Sequence, residues 1–321
     1  MSPEVDTVGE LALSIFDSGE GFEFTRIKDG ETNRNYKVEQ GGRSFVLRVP
    51  GEAAEVDRSV EAANIGALLS NPQTAAIIPH YRVYVHNGEN VVDPGSKMSL
   101  RDGIAVTEFI EGQDLNTSLL RDRSIQRSLV ETLHTFHTSG VRFVNSYDPV
   151  EDEVRKYKSI VFKNPSAPDL VSSQTLELVE RAERELDLQL PADSPVSTHN
   201  DLIYGNLRLG KDGRVHLIDF EYSGFNNRGL VYDFGTLLGE NLFSDDPMDS
   251  SIMGDILELA SQRYGQAFNI ERVYDAARVN VLVTFWWGLV EYANASSDTE
   301  KAYFAEYVNK RKDLLANGIF S

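Results

Sequence analysis

The stretch Ser197–Tyr222, STHNDLIYGNLRLGKDGRVHLIDFEY, gathers an Asp, an Asn and a second Asp around glycines and two short apolar runs. An ionised carboxylate loses hydration when it is buried, so acids crowded against apolar strands call for a reason. Asp201 and Asn206 stand five positions apart and can bracket one face of a loop. Asp219 follows Asn206 by 13 positions, directly after RVHLI, so a strand returning beside the loop would deliver a second carboxylate to the first. Taken singly, His199 and Asp201 read as residues that cap a turn, and Asp219 as an ordinary strand end. Taken jointly, with their order and strand context, they read as a functional set.

The 321 residues are too many for one ordinary core and comfortable for two lobes. Apolar residues at 41% and charged residues at 25% are the proportions of a globular protein. The formal charge of −19 argues against a nucleic-acid surface, which needs an excess of Lys and Arg. It would draw in a cationic ligand, whereas an anionic one would need a local cationic pocket or a metal. The absence of cysteine excludes disulfides, thiolate nucleophiles, iron–sulfur clusters and cysteine zinc sites. The start, MSPEVDTVGELALSIFDSGEGFEF, has acids where a secretory leader has a basic region. The most apolar segment, VNVLVTFWWGLV from Val279 to Val290, is shorter than the roughly 20 residues that span a bilayer, and reads as a buried helix. The expectation is a cytoplasmic protein with no membrane insertion.

Along the chain, YKVEQGGRSFVLRVPG (Tyr36–Gly51) predicts a hairpin turning at Gly41-Gly42, and IPHYRVYVHNGENVV a second one turning at Asn87-Gly88. Between them DRSVEAANIGALLS predicts a helix capped by Asp57 or Ser59. GIAVTEFIEGQDL, from Gly103, adds one more strand. After Gly112 helices take over, including SIQRSLVETLHTFHTSG with its stop at Gly140, and DLVSSQTLELVERAERELDLQL, ended by Pro191. These patterns divide the chain into a strand-rich lobe, 1–112, and a mainly helical lobe, 113–321. No internal repeat or low-complexity tract interrupts them.

HNDLIYGN has the form H-x-D-x-x-x-x-N, the spacing of the protein-kinase catalytic loop. Phosphoryl transfer needs a carboxylate that orients and deprotonates an attacking hydroxyl, and oxygen ligands for magnesium on the phosphates. Asp201 is the candidate base; Asn206 and Asp219 are the candidate metal ligands. Glu221 follows Phe220 where protein kinases have Gly, and no G-x-G-x-x-G occurs near the N-terminus. KDGETNRNYKV together with HNDLIYGN and LIDFEYSGFNNRGLVYDFGTLLGEN instead resembles the choline and ethanolamine kinases, within the wider aminoglycoside phosphotransferase-like group. The resemblance runs from about Phe24 to Lys312, and its most specific parts are HNDL with GN and IDFEYSGFNNRG.

That resemblance implies an α+β, bilobal protein-kinase-like fold, with a small antiparallel sheet and one helix as the nucleotide lobe. ATP is the implied co-substrate and Mg2+ the implied cofactor. Arg48 stands where the family has its nucleotide-lobe cation, and Glu61 would orient it. An exposed Arg–Glu pair would mean little, since such pairs contribute about 0 to 1 kcal/mol. Asn33 and Arg34 look like the phosphate-covering loop, although Gly30 to Asn35 would also make a plain turn. Glu108, Phe109 and Ile110 would present backbone groups to adenine.

For the acceptor, the resemblance maps Trp287 and Tyr307 onto aromatics that hold a quaternary ammonium, and Glu240 onto the acid facing it, with Tyr222 beside the metal strand. Each aromatic also reads as helix core. Val290 stands where the family pattern W-G-L-W has a second Trp, and two extra residues separate NNRG from YDFG. The expected acceptor is choline, with ethanolamine, another amino alcohol, thiamine or an aminoglycoside as alternatives, and a non-catalytic nucleotide-binding module as the reading from another class. His134 and His137, three apart on an apolar helix, read as core or interface residues. Asp233 in VYDFG reads as an acceptor that holds the loop.

Overall fold

The computed structural model describes residues 11, 15–16, 22–27, 33–51, 56–164, 171–190 and 193–317. The readings placed on the first ten residues, on Gly30 and on Pro191 fall outside that range. The chain divides into two units, Met1–Glu111 and Gly112–Ser321.

The first unit is built on strands β1 (Phe22–Arg26), β2 (Asn33–Gln40), β3 (Arg43–Pro50), β4 (Tyr81–His86), β5 (Glu89–Asn90) and β6 (Ala105–Glu108). They pair antiparallel in the order β1-β2-β3-β6-β4-β5. Both hairpin turns fall at the expected dipeptides. Gly41 and Gly42 (φ 56 and 73) and Asn87 and Gly88 (φ 50 and 70) take the left-handed backbone that a two-residue hairpin needs. Alternate residues Tyr36, Val38, Phe45 and Leu47 point to one face, where they pack with Val85, Ile104 and Val106. β1 went unread in the sequence. Asn33 and Arg34, expected in a loop, open strand β2 and pair with Pro50 and Val49.

Helix α1 (Arg58–Ser70) begins where its cap predicts, with Asp57 Oδ1 accepting from the amides of Ser59 and Val60. A buried ion cluster ties it to the sheet. Glu61 Oε1 meets Arg48 Nη1 of β3 at 2.6 Å, and its Oε2 receives Arg58 Nη1 and Tyr84 OH, each at 2.7 Å. Burial pushes the Glu61 carboxyl up, but the Arg48 and Arg58 guanidiniums outweigh it and hold the acid below the ordinary carboxylate range.

The second unit contains α2–α9 beyond the short turn Pro72–Ala75: α2 (Thr117–Leu120), α3 (Arg123–Thr138), α4 (Arg155–Lys163, entered through a wide turn at Pro149–Val154), α5 (Ser173–Gln189), α6 (Val231–Asn241), α7 (Ser250–Tyr264), α8 (Ile270–Asn294) and α9 (Asp298–Asn317). Two three-stranded sheets sit among them. β7 (Gly112–Asp114), β10 (Leu207–Gly210) and β11 (Val215–Leu217) form one; β8 (Ser146–Tyr147), β9 (Val196–Thr198) and β12 (Gly224–Asn226) form the other. The run Val279–Val290 lies inside α8, nearly all of it buried. Among the described residues no helix is long and apolar enough to cross a membrane.

Helix α6 lies close against α8. A Cβ placed on Gly235 would stand 2.5 Å from Ala276 Cβ and 2.7 Å from its carbonyl carbon, so glycine is what lets the backbones approach.

The helix packing and the buried ion cluster yield three predictions. Gly235→Ala overpacks the α6–α8 contact and should destabilise the protein by about 1–3 kcal/mol, read as a lower denaturation midpoint in urea. Glu61→Ala takes the counter-charge from the buried Arg48 and the partly buried Arg58 and should cost about 3–5 kcal/mol. Because the Glu61 carboxyl is held low in the fold, its contribution is present above the ordinary carboxylate range and lost as pH falls through the folded value. An acid titration of urea midpoints should therefore be shallower in Glu61→Gln than in the wild type.

Candidate active site

The loop between β9 and β10 is fixed from behind by helix α6. Asp233, fully buried in the first turn of that helix, accepts from the amides of His199 (2.9 Å) and Asn200 (2.8 Å). Thr236 Oγ1 accepts from the Leu202 amide at 3.4 Å, and Asn241 Oδ1 from the Tyr204 amide at 3.1 Å. Successive turns of one helix thus hold successive residues of the loop. Asn200 takes φ 67, and its side chain, bonded to Thr198 Oγ1 (2.6 Å), Asn226 Nδ2 (2.9 Å) and the Tyr222 carbonyl (2.9 Å), holds it in that left-handed conformation. The expectation for Asp233 is met. His137 also behaves as a core residue, with Nε2 2.9 Å from Asp233 Oδ2 and Nδ1 2.7 Å from Tyr264 OH.

Asp201 and Asn206 meet as their spacing suggested. Asn206 Nδ2 donates to Asp201 Oδ2 at 2.7 Å and to the Asp201 carbonyl at 3.0 Å, closing the loop on itself. That contact occupies one Asp201 oxygen; among the described residues none donates to Oδ1. His199 Nε2 lies 2.9 Å from the Ile218 carbonyl and its ring 4.8 Å from that of Phe220, so the residues on both sides of Asp219 are anchored to the loop. Asp219 itself has φ 62, which turns the chain sharply after β11.

Burial raises the Asp201 carboxyl well above its usual range, and the carboxylates of Asp219, Glu240 and Glu221 raise it further. Four acids therefore share one electrostatic neighbourhood, and Glu221 was not singled out from the sequence. Such a cluster is unfavourable until a cation enters it. Among the described residues no three His, Asp or Glu side chains come close enough to hold a metal unaided. The donors present, the Asp219 carboxylate and the Asn206 amide carbonyl, fit magnesium, which takes a few protein oxygens and leaves its other positions to phosphate and water.

In the first unit Arg48 and Glu61 form the expected pair, buried rather than exposed, and Arg58, unread in the sequence, joins it and donates to Asn33 Oδ1 at 3.0 Å. The Glu108 amide donates to the His80 carbonyl (2.9 Å) and the Phe109 amide to the Ser44 carbonyl (3.0 Å). Those two N–H groups belong to the sheet, so the adenine contacts expected of Glu108, Phe109 and Ile110 cannot come from them.

Of the residues that the resemblance implies for the acceptor, Trp287 and Tyr307 converge, with ring centroids 5.4 Å apart and edge to face. Tyr222 supplies the carbonyl that orients Asn200. Glu240 carries a partner that no sequence signal named: Arg311, whose Nη2 lies 2.7 Å from Glu240 Oε2. The available hint was its spacing, four residues after Tyr307 on one helix face.

Residues 23–278 match the model of the phosphotransferase enzyme family. Protein LicA of Haemophilus influenzae is 29% identical over 229 residues, covering 68% of this chain and 59% of LicA. Ethanolamine kinase 2 of Mus musculus is 29% identical over 229 residues, covering 67% of this chain and 52% of that one. The match thus spans between half and three fifths of these relatives' lengths. The crystal structure of choline kinase LicA from Streptococcus pneumoniae superposes with a TM-score of 0.71 at 20% identity, covering 97% of this chain and 99% of that one. At that identity the likeness speaks for the fold, which is the protein-kinase-like one. With most of its length inside the matched region, this chain belongs to the phosphotransferase enzyme family.

Proposed function

We propose that the protein is a kinase that transfers the γ-phosphoryl group of ATP to the hydroxyl of a small cationic amino alcohol, choline on the sequence reading or ethanolamine. The observation that carries this reading is the Asp201 loop: one carboxylate oxygen tied down by Asn206, the other without a donor among the described residues, on a backbone pinned by Asp233. A hydroxyl donating to Asp201 Oδ1 would be aimed and partly deprotonated in one contact. Its oxygen forms the new bond to the γ-phosphorus, the proton passes to Asp201, and the bond to the β–γ bridging oxygen breaks to release ADP. Asn206 and Asp219 would hold magnesium, which when bound would neutralise phosphate charge.

Arg48, oriented by Glu61, and Asn33, Arg34 and the Glu108–Ile110 segment are the residues proposed for the nucleotide. The acidic neighbourhood of Asp201, with Glu240 in it, favours a positively charged acceptor, in keeping with relatives named as an ethanolamine kinase and a choline/ethanolamine kinase.

Three outcomes test the proposal. Asp201→Asn should lower kcat for ADP release with amino alcohols by at least about 10³-fold while magnesium-dependent ATP binding is retained. A panel of amino alcohols, thiamine and aminoglycosides identifies the acceptor; ATP binding without ADP formation from any of them would overturn a kinase. Asp233→Asn places an N–H against the loop amides, and should lower kcat roughly 10²-fold with little change in KM for ATP, as expected for a displaced loop.

A further inference from the structure

Among the described residues three arginines are buried, and each is paired: Arg48 with Glu61, Arg228 with Asp148, and Arg311 with Glu240. The third pair sits on residues that the resemblance assigns to the acceptor's ammonium group. The Arg311 guanidinium carbon lies 3.2 Å from the Tyr307 ring centroid and 4.3 Å from that of Phe243, so the cation is enclosed by two aromatic rings. Its hydrogen bonds are satisfied. Nε donates to Thr284 Oγ1 (2.9 Å), Nη1 to the Tyr307 carbonyl (3.3 Å) and Nη2 to Glu240 Oε2 (2.7 Å). Tyr307 is also fixed from the side of α8, because a Cβ on Gly288 would stand 2.7 Å from Tyr307 Cδ1 and 3.0 Å from Cε1. The aromatic face and the carboxylate oxygen that would receive a trimethylammonium are therefore already engaged by a cation of the protein itself.

One group is left over. Glu240 Oε1 is buried and, among the described residues, accepts no hydrogen bond. A buried carboxylate oxygen without a donor is costly, and the Glu240 charge is close enough to Asp201 to raise it. A protonated primary amine can donate an N–H to that oxygen; a quaternary ammonium has none to give.

We propose that Arg311 is a specificity-determining residue, which fills the aromatic box in place of a trimethylammonium group and leaves Glu240 Oε1 to receive an acceptor whose ammonium bears at least one N–H. The inference rests on the kinase reading above and deepens it. It reverses the order of acceptors favoured by the sequence, placing ethanolamine-type amines ahead of choline.

The test is the N-methylation series of ethanolamine: the primary amine, its mono- and dimethyl derivatives, and choline, each assayed for kcat/KM with the wild-type protein. The first three carry an N–H when protonated, so the account predicts a break of at least about tenfold between the dimethyl compound and choline, not an even decline. Arg311→Met opens the box and should shift the choline-to-ethanolamine ratio of kcat/KM toward choline by about tenfold. Should that variant fold poorly by circular dichroism, calorimetric affinities of the same four amines for the wild-type protein with ADP and magnesium carry the test alone. Choline used or bound as well as the dimethyl compound overturns the role of Arg311. Turnover of none of the four overturns the proposed reaction instead, and the order of their affinities then still decides whether Arg311 selects against the quaternary amine.

Discussion

The arrangement depends on one buried carboxylate. Asp233 accepts two backbone N–H groups from adjacent residues of the Asp201 loop, His199 and Asn200, and a third polar contact from His137. A loop between two short strands has few backbone partners of its own, and each amide left unpaired in the interior would be penalised by about 1–3 kcal/mol. Helix α6 supplies those partners turn by turn, through Asp233, Thr236 and Asn241, and then presents Glu240. The Asp201 loop and Glu240 are thereby fixed to the same helix. The glycine at 235 allows that helix to lie directly on α8, which carries Trp287 and Thr284.

Charge pairing separates the structural acids from the functional ones. Glu61 is deeply buried, yet two guanidiniums and a tyrosine hydroxyl compensate it, and its carboxyl is driven down. Among the described residues the Asp201 carboxylate has the Asn206 amide alone, and burial together with three further carboxylates drives it up. A fold selected for stability alone has no reason to keep the second arrangement. The cost is explained if cations arrive with the substrates. Glu240 stands between the two cases, with one oxygen neutralised by Arg311 and the other without a donor.

Short-range chemistry was legible in the sequence and long-range pairing was not. The Gly41-Gly42 and Asn87-Gly88 turns, the Asp57 cap and the Gly140 stop are set by residues within a few positions, and each stands where it was read. The Asp201–Asn206 contact was legible for the same reason. β7 was not, because its strand character comes from pairing with β10, almost a hundred residues later, where a Cβ on Gly112 would collide with the Leu209 carbonyl. Asn33 reads as a turn residue until its partners Pro50 and Arg58 are known. Glu240 and Tyr307 were identified by resemblance alone, and resemblance was silent about the guanidinium between Tyr307 and Phe243. That contact joins side chains from α6, α9 and the turn after α6, which no local pattern could have brought together.

The central claim is that Asp201 directs an alcohol, rather than water, at the terminal phosphate of ATP. Phosphorus NMR of ATP, magnesium and ethanolamine in the presence of the protein tests it directly, because ester and inorganic phosphate give separate resonances. The account predicts ADP and a phosphomonoester growing in equal amounts, with no inorganic phosphate beyond the protein-free control. ADP accompanied by inorganic phosphate alone would contradict it.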